Sequence, residues 1–164
     1  MSKVIMFSRV YPTTHPRKGE PTYFVEKFWK GLQNIGFSEP VWFFSDFQGL
    51  GDVINGSIYN SVWAKKHTIR AGKRFKVGDV FSPRVWSGRP YCSKQITIAP
   101  DVKVVQTYDF ARYDDGEMFL NQVKLTPEKI DELAANDGLY VDDFLYWFNK
   151  PFEGQIICWV PVSY

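Results

Sequence analysis

The chain has 164 residues, 45% apolar and 18% aromatic, with a formal net charge of +2, a length that favours one domain with a sizeable core. Two Cys and two His argue against a disulfide framework, a CxxC metal pair or a structural zinc site. No apolar run approaches a membrane span and the opening MSKVIMFSRVYP lacks a signal-peptide core, so a soluble, cytoplasmic protein is expected.

In chain order, KVIMFSRV (residues 3–10) has the length and apolar density of a strand, and YPTTHPRKGEP after it is a Pro-rich loop. Thr22 can cap a helix in which Phe24, Val25, Phe28, Trp29 and Leu32 share one face and Gly36 marks the stop. PVWFFSDF (40–47) reads as a strand, QGLGDVINGS (48–57) as a Gly-rich loop within the domain, and IYNSVWAKK (58–66) as a short helix. From Lys76 the texture turns to β. VGDVFSPRVWSG, KQITIAPDVKVVQTYDFARY and EMFLNQVKL read as strands separated by Gly, Pro and Ser turns. LTPEKIDELAANDG (125–138) is a helix with Thr126 as N-cap, Pro127 at the first helical position and Gly138 at the C-terminal stop. VDDFLYWFNK (141–150) is a second short helix with Phe144, Leu145 and Phe148 facing inward, and GQIICWVPVSY closes as a strand. This order predicts an α+β fold with a small barrel or strongly bent sheet, residues 1–164 forming one domain.

Charge is unevenly placed: residues 1–100 hold 15 Lys/Arg against 6 Asp/Glu, and residues 101–164 hold 5 against 12. Either the first part meets an anionic partner or the two parts neutralise each other. The cations are densest in AKKHTIRAGKRFKVGD (64–79). If HTIR is extended, Thr68 and Arg70 share one face while His67 and Ile69 share the other. Ile69 belongs to the core, so Thr68 and Arg70 face a cavity or solvent, and Lys65 can fold over the same face. A hydroxyl and two cations make a cradle for an anion or a polarised carbonyl; an exposed basic edge is the alternative. Lys73, Arg74 and Lys76 read as a supporting rim. The acid pairs Asp114/Asp115 and Asp142/Asp143 read as a turn and a helix first turn. RVWSGRPY (84–91) sets Trp86 and Tyr91 among Arg84 and Arg89, offering stacking rings between cations, with a core position for Trp86 equally open. No GxGxxG, GxxxxGK[ST] or GxSxG occurs, and no cofactor or metal is expected.

KKHTIR followed by KVGDVFSPRVWSGRPY resembles the ASCH domain, a branch of the PUA-like β-barrel superfamily with the approximate signature G-x-K-x-x-[E/T]-x-R ahead of a Gly-Asp turn. Lys65, Thr68 and Arg70 take the Lys, Glu/Thr and Arg positions, Gly78 and Asp79 supply the turn, and Trp63 stands at the Gly position. LAANDGLYVDDFLYWF (133–148) is similar to the family's late helical segment. The resemblance covers residues 55–164 and implies a PUA-like small β-barrel with flanking helices, residues 1–54 being an N-terminal strand-helix elaboration. It also implies RNA or a modified nucleoside or nucleotide bound in a basic cleft beside the barrel. The basic and aromatic pattern of this chain makes Lys66, His67, Arg70, Trp86, Arg89 and Tyr91 the expected ligand-binding residues.

Some small ASCH proteins are amidohydrolases that remove the acetyl group of acetylcytidine. Their Lys, Thr and later Glu map onto Lys65, Thr68 and Asp137, the last one methylene shorter. A neutral Lys65 would take the Thr68 proton, Arg70 would hold an oxyanion or phosphate, and the carboxylate would protonate the leaving amine. Binding is the first expectation and hydrolysis the second. A third is partner docking through His15, Arg17 and Lys18, set against a plain mobile loop.

Overall fold

The protein is an α+β fold, seen in a computed structural model that describes residues 2–38 and 56–164. The strand expected at residues 40–47 and most of the Gly-rich stretch after it lie outside the described residues.

The first sheet is mixed. β1 (Lys3–Met6) runs parallel to β3 (Val80–Trp86), which pairs antiparallel with both β4 (Gln95–Thr97) and β5 (Val102–Lys103). The second sheet is antiparallel, in the order β2 (His67–Ala71), β9 (Phe152–Cys158), β6 (Gln106–Arg112), β7 (Met118–Leu120) and β8 (Val123–Lys124). The chain passes from one sheet to the other between β5 and β6, where the Val104 N–H bonds Asp79 O and the Val105 N–H bonds Cys158 O. The run expected as one strand over residues 117–125 is instead the short hairpin β7 and β8. Asn121 and Gln122 adopt positive φ of 46° and 68°, which turns the chain over where the apolar pattern suggested continuity.

Helix α1 (Phe24–Gln33) buries its expected apolar face, with Phe28, Trp29 and Leu32 at 0% exposure. Its N-cap is Tyr23 in a left-handed conformation rather than Thr22. Thr22 instead accepts from Phe24 N–H and donates to Ser8 O, tying the helix start to the end of β1. A short α2 (Gly56–Tyr59) follows, and the chain is non-helical before β2, so the helix expected over residues 58–66 is confined to its start. Helix α3 (Pro127–Asn136) opens as expected, Thr126 accepting from Lys129 N–H. It closes on Gly138 at φ +87°, with bonds from Gly138 N–H to Ala135 O and from Leu139 N–H to Ala134 O, the pairing of a Schellman stop. Helix α4 (Val141–Trp147) turns Phe144 inward and is followed by buried Phe148, whereas Leu145 is 43% exposed, contrary to its expected inward face.

The core lies between the sheets and α1. Trp159, just past β9, sits against the rings of Phe28, Phe81 and Phe7 at centroid distances of 4.8, 5.9 and 5.9 Å. The basic and acidic parts of the chain also meet: Arg17 pairs with Asp143, Lys65 with Asp137 and Lys73 with Asp109. Mutual neutralisation therefore absorbs part of the charge asymmetry. No helix among the described residues is long and apolar enough to cross a membrane.

Candidate functional site

A cavity opens at the seam where the end of β1 approaches β2. Phe7 and Ser8 line it from the β1 side, Thr68, Ile69 and Arg70 from β2, and Lys65 and Asp137 from below, with Phe24, Trp147 and Phe148 as aromatic walls. Its volume is about 50 Å³. A water needs roughly 10–15 Å³ measured this way, so the cavity admits a few waters or one small polar group. Strand alternation carries Thr68 and Arg70 to it, and the backbone carries Lys65. The Lys65 N–H bonds Lys27 O and the Lys66 N–H bonds Asn136 O, clamping this stretch between α1 and α3. Gly31 of α1 presses directly on the Lys65 carbonyl, where any Cβ would overlap.

Lys65 is 1% exposed. Its Nζ donates to Asp137 Oδ1 at 2.9 Å and also to the Asp137 carbonyl, and it lies 4.4 Å from the Phe24 ring centre. Asp137 is the C-cap of α3. The ammonium therefore meets a carboxylate, a free carbonyl and the negative end of a helix together. Burial lowers the Lys65 pKa below that of an ordinary lysine, with Asp137 opposing. Burial alone would raise the Asp137 carboxyl, but Lys65 and His67 outweigh it and hold the group below the ordinary carboxylate range. The pair is thus a carboxylate beside an amine that gives up its proton more readily than usual.

Arg70 donates through Nη2 to Met6 O, closing the seam from one side. Its Nε is buried without a partner, and no hydrogen bond among the described residues engages Nη1. Thr68 is 5% exposed and its hydroxyl makes no hydrogen bond among the described residues. A cavity-facing hydroxyl and an unengaged guanidinium edge are the groups left for a ligand.

Lys65, Thr68, Arg70 and Asp137 therefore share one cavity, with Asp137 reaching Lys65 despite its shorter side chain. No protein-family model, curated protein or solved structure matches this chain. The site stands on its own geometry.

The other expected ligand residues lie elsewhere. His67 is fully buried behind Asp137, its Nδ1 at 3.6 Å from Oδ1, and does not line the cavity. Burial lowers its pKa, so the ring is neutral at pH 7. Lys66 is half-buried and off the cavity lining. Trp86 alternates with the core residues Phe81 and Val85, so it points to the outer face of the first sheet and is not a core ring. It meets Tyr91, 89% exposed, at 5.3 Å between ring centres. Arg89 sits in the same exposed loop. That loop nears the cavity rim, because Arg9, next to cavity-lining Ser8, donates to Ser87 O at 3.3 Å. Of the rim cations, Lys73 is taken up by Asp109 at 3.0 Å.

Asp143 is a first-turn acid of α4 as expected, and it is also a buried hub that the sequence pattern does not reveal. It accepts from Arg17 Nη1 at 2.7 Å and the Tyr11 hydroxyl at 3.2 Å, and its carbonyl faces His15 Nε2 at 3.1 Å. The loop of residues 11–21 is thereby docked on α4 beside Trp147, whose ring meets Tyr11, His15 and Phe24. His15 and Arg17 are spent on this docking. Among the described residues no His, Cys, Asp and Glu cluster could hold a metal ion.

Proposed function

We propose that this chain is an ASCH-type domain of PUA-like barrel architecture that hydrolyses a short N-acyl group from a nucleobase or nucleoside. The reading is carried by the buried Lys65 and Asp137 pair in a cavity shared with Thr68 and Arg70. A site for phosphate contact alone favours exposed, fully charged lysines. Burying an amine lowers its pKa, so a larger share of it is neutral and able to accept a proton.

The steps follow from the groups present. Neutral Lys65 takes the Thr68 hydroxyl proton as the oxygen attacks the acyl carbon, and the carbonyl electron pair moves onto oxygen. Arg70 faces that oxyanion. The C–N bond then breaks, and the Lys65 ammonium returns its proton to the departing amine nitrogen. An acyl ester remains on Thr68. Water, deprotonated by Lys65, attacks the ester, releasing the carboxylic acid and restoring the Thr68 hydroxyl. Asp137 is held ionised, so it orients Lys65 rather than acting as the acid. A cavity of about 50 Å³ limits the acyl group to a few heavy atoms.

The test is incubation with a panel of nucleosides bearing formyl, acetyl and longer acyl groups on the exocyclic amine, followed by chromatography. Wild type should release the short acyl groups and Thr68→Val should not. No hydrolysis across the panel, or full activity in Thr68→Val, refutes the reading. The Trp86 and Tyr91 pair supports a second reading, RNA binding on the outer face. It predicts affinity that falls steeply with salt and weakens by about 1–3 kcal/mol on removing each stacking ring. Salt-independent binding, or none, removes it.

A further inference from the structure

The proposed chemistry needs Asp137 ionised and aligned on Lys65, and the residues behind the carboxylate form a device for this. His67 Nδ1 faces Asp137 Oδ1 at 3.6 Å and has no hydrogen-bond partner. Its Nε2 meets the Tyr164 hydroxyl at 2.5 Å, and the Tyr164 oxygen accepts from Asn136 Nδ2 at 3.0 Å. An amide nitrogen only donates, so the Tyr164 oxygen receives from Asn136 and its own proton is left to donate. The acceptor at hand is His67 Nε2. A neutral imidazole carries one proton, which with Nε2 accepting lies on Nδ1. There it points at the carboxylate instead of presenting a lone pair to it.

We infer that His67 and Tyr164 are positioning residues: the Tyr164 hydroxyl fixes the His67 tautomer that turns Nδ1–H onto Asp137 and holds that carboxylate on Lys65. The inference deepens the amidohydrolase reading and rests on it for its catalytic meaning. At 3.6 Å the contact is longer than a formed hydrogen bond. It acts as an N–H dipole on a buried anion, in surroundings that strengthen such interactions. A carboxylate that shares its charge with His67 draws less strongly on the Lys65 proton, so Lys65 releases it more readily. The other charged or titratable groups facing this line are Arg70 and Lys66 from β2 and its approach, Lys27 from α1, Cys158 from β9 and Glu132 from α3. All five stay in place in the variants below.

The second histidine provides an internal standard. His15 Nδ1 accepts the Arg17 N–H at 3.0 Å, which puts its proton on Nε2, facing Asp143 O. With two His in the chain, a long-range ¹H–¹⁵N spectrum of the labelled protein at pH 7 should show one imidazole of each tautomer, His67 being the Nδ1–H form. His15→Gln assigns the signals. The second readout is the Lys65 Cε titration by ¹³C NMR. His67→Leu removes the N–H dipole and should move the Lys65 midpoint upward by about one pH unit, the scale of one charge–dipole contact in a buried site. Tyr164→Phe frees the ring from its anchor and should move it the same way by less. A purely structural role would lower the melting temperature and leave the midpoint where it was.

An Nε2–H or charged His67 in the wild type overturns the inference, as does an unchanged Lys65 midpoint in both variants. The tautomer measurement needs no variant, so it decides even where a variant folds poorly. Neither readout needs a substrate, so failure to find hydrolysis is distinguishable from failure of the positioning role. Where turnover is found, the acid limb of the pH–rate profile should move upward with the Lys65 midpoint.

Discussion

Replacing Lys65 with Met tests whether the site depends on the ammonium or on the aliphatic stem. Met keeps much of the stem's volume against Phe24 but leaves Asp137, 4% exposed, with no cation bonded to its carboxylate. A lone buried carboxylate is so unfavourable that the group takes up a proton instead. At pH 7 that proton costs about 4 kcal/mol, from roughly 1.36 kcal/mol per pH unit over the interval down to an ordinary Asp value near 3.9; at pH 5 it costs about 1.5 kcal/mol. Lys65→Met should therefore be destabilised by about 4 kcal/mol at pH 7 and by roughly 2.5 kcal/mol less at pH 5. The sign agrees with the wild type. The depressed Asp137 pKa contributes stability that is fully present above the unfolded value and lost as pH falls through the folded one, so the two stability curves converge on acidification. Urea unfolding at pH 5, 6 and 7, followed by Trp fluorescence, measures the difference. Lys65→Met/Asp137→Asn should recover most of the pH 7 loss, because no buried charge remains. A loss of equal size at pH 5 and pH 7, or a double variant no more stable than the single one, refutes the reasoning.

Three further outcomes can be checked. Burial, helped by Lys65 and Arg17, lowers Lys27 to about 8, so between pH 8 and its ordinary value near 10.4 the unfolded chain holds a proton the folded chain has released. Stability should rise with pH across that window, and Lys27→Met should flatten the rise; parallel urea midpoints for the two proteins argue against it. Asp143→Asn keeps the shape of the hub and removes the charge that holds Arg17. It should cost roughly 1.5–3 kcal/mol and speed tryptic cleavage after Arg17 and Lys18, so an unchanged cleavage rate counts against the docked loop. Gly31→Ala places a methyl group into the Lys65 carbonyl, backbone against backbone, and should lower stability by roughly 1–3 kcal/mol; a neutral substitution would show that α1 can retreat from the stretch that leads into β2.

The sequence was most legible where the determining signals are local. Thr126, Pro127 and Gly138 bracket α3 within one short stretch, and the structure uses Thr126 as the N-cap and Gly138 as the stop just after the Asp137 C-cap. Alternation in HTIR carries Thr68 and Arg70 to one cavity because β2 is extended throughout. The failures come from contacts that no local pattern encodes. Asp143 lies 126 residues from Arg17 and 132 from Tyr11, so its helix position suggested only a dipole effect. Leu145 looks apolar and inward, yet α4 has two turns and spends its buried face on Phe144 and the following Phe148. The hairpin at Asn121 and Gln122 carried a usable signal, since Asn tolerates positive φ, but the flanking apolar residues masked it. His67, expected among the ligand residues, lies off the cavity. Alternation had already placed it on the face opposite Thr68.

Burial, more than charge count, separates the cations of residues 64–79 into different chemistries. Lys73 and Lys65 are the same residue type and each meets an aspartate near 3 Å, at 3.0 and 2.9 Å. The Lys73 side chain is 63% exposed, so water and salt screen its pair with Asp109 and leave it a contribution near zero to 1 kcal/mol. The Lys65 side chain is 1% exposed, so its ammonium depends on Asp137 and the end of α3 for solvation, and any change in that carboxylate is felt directly at its Nζ. Such dependence is costly for a residue whose role is to attract a phosphate backbone, because an exposed lysine does that without a partner. It is useful for a residue that must exchange a proton with a neighbouring hydroxyl, because the partner then sets the proton affinity. The burial of Lys65 against Asp137, with His67 behind it, therefore supports the proposed proton transfer at Thr68 over charge attraction at the rim.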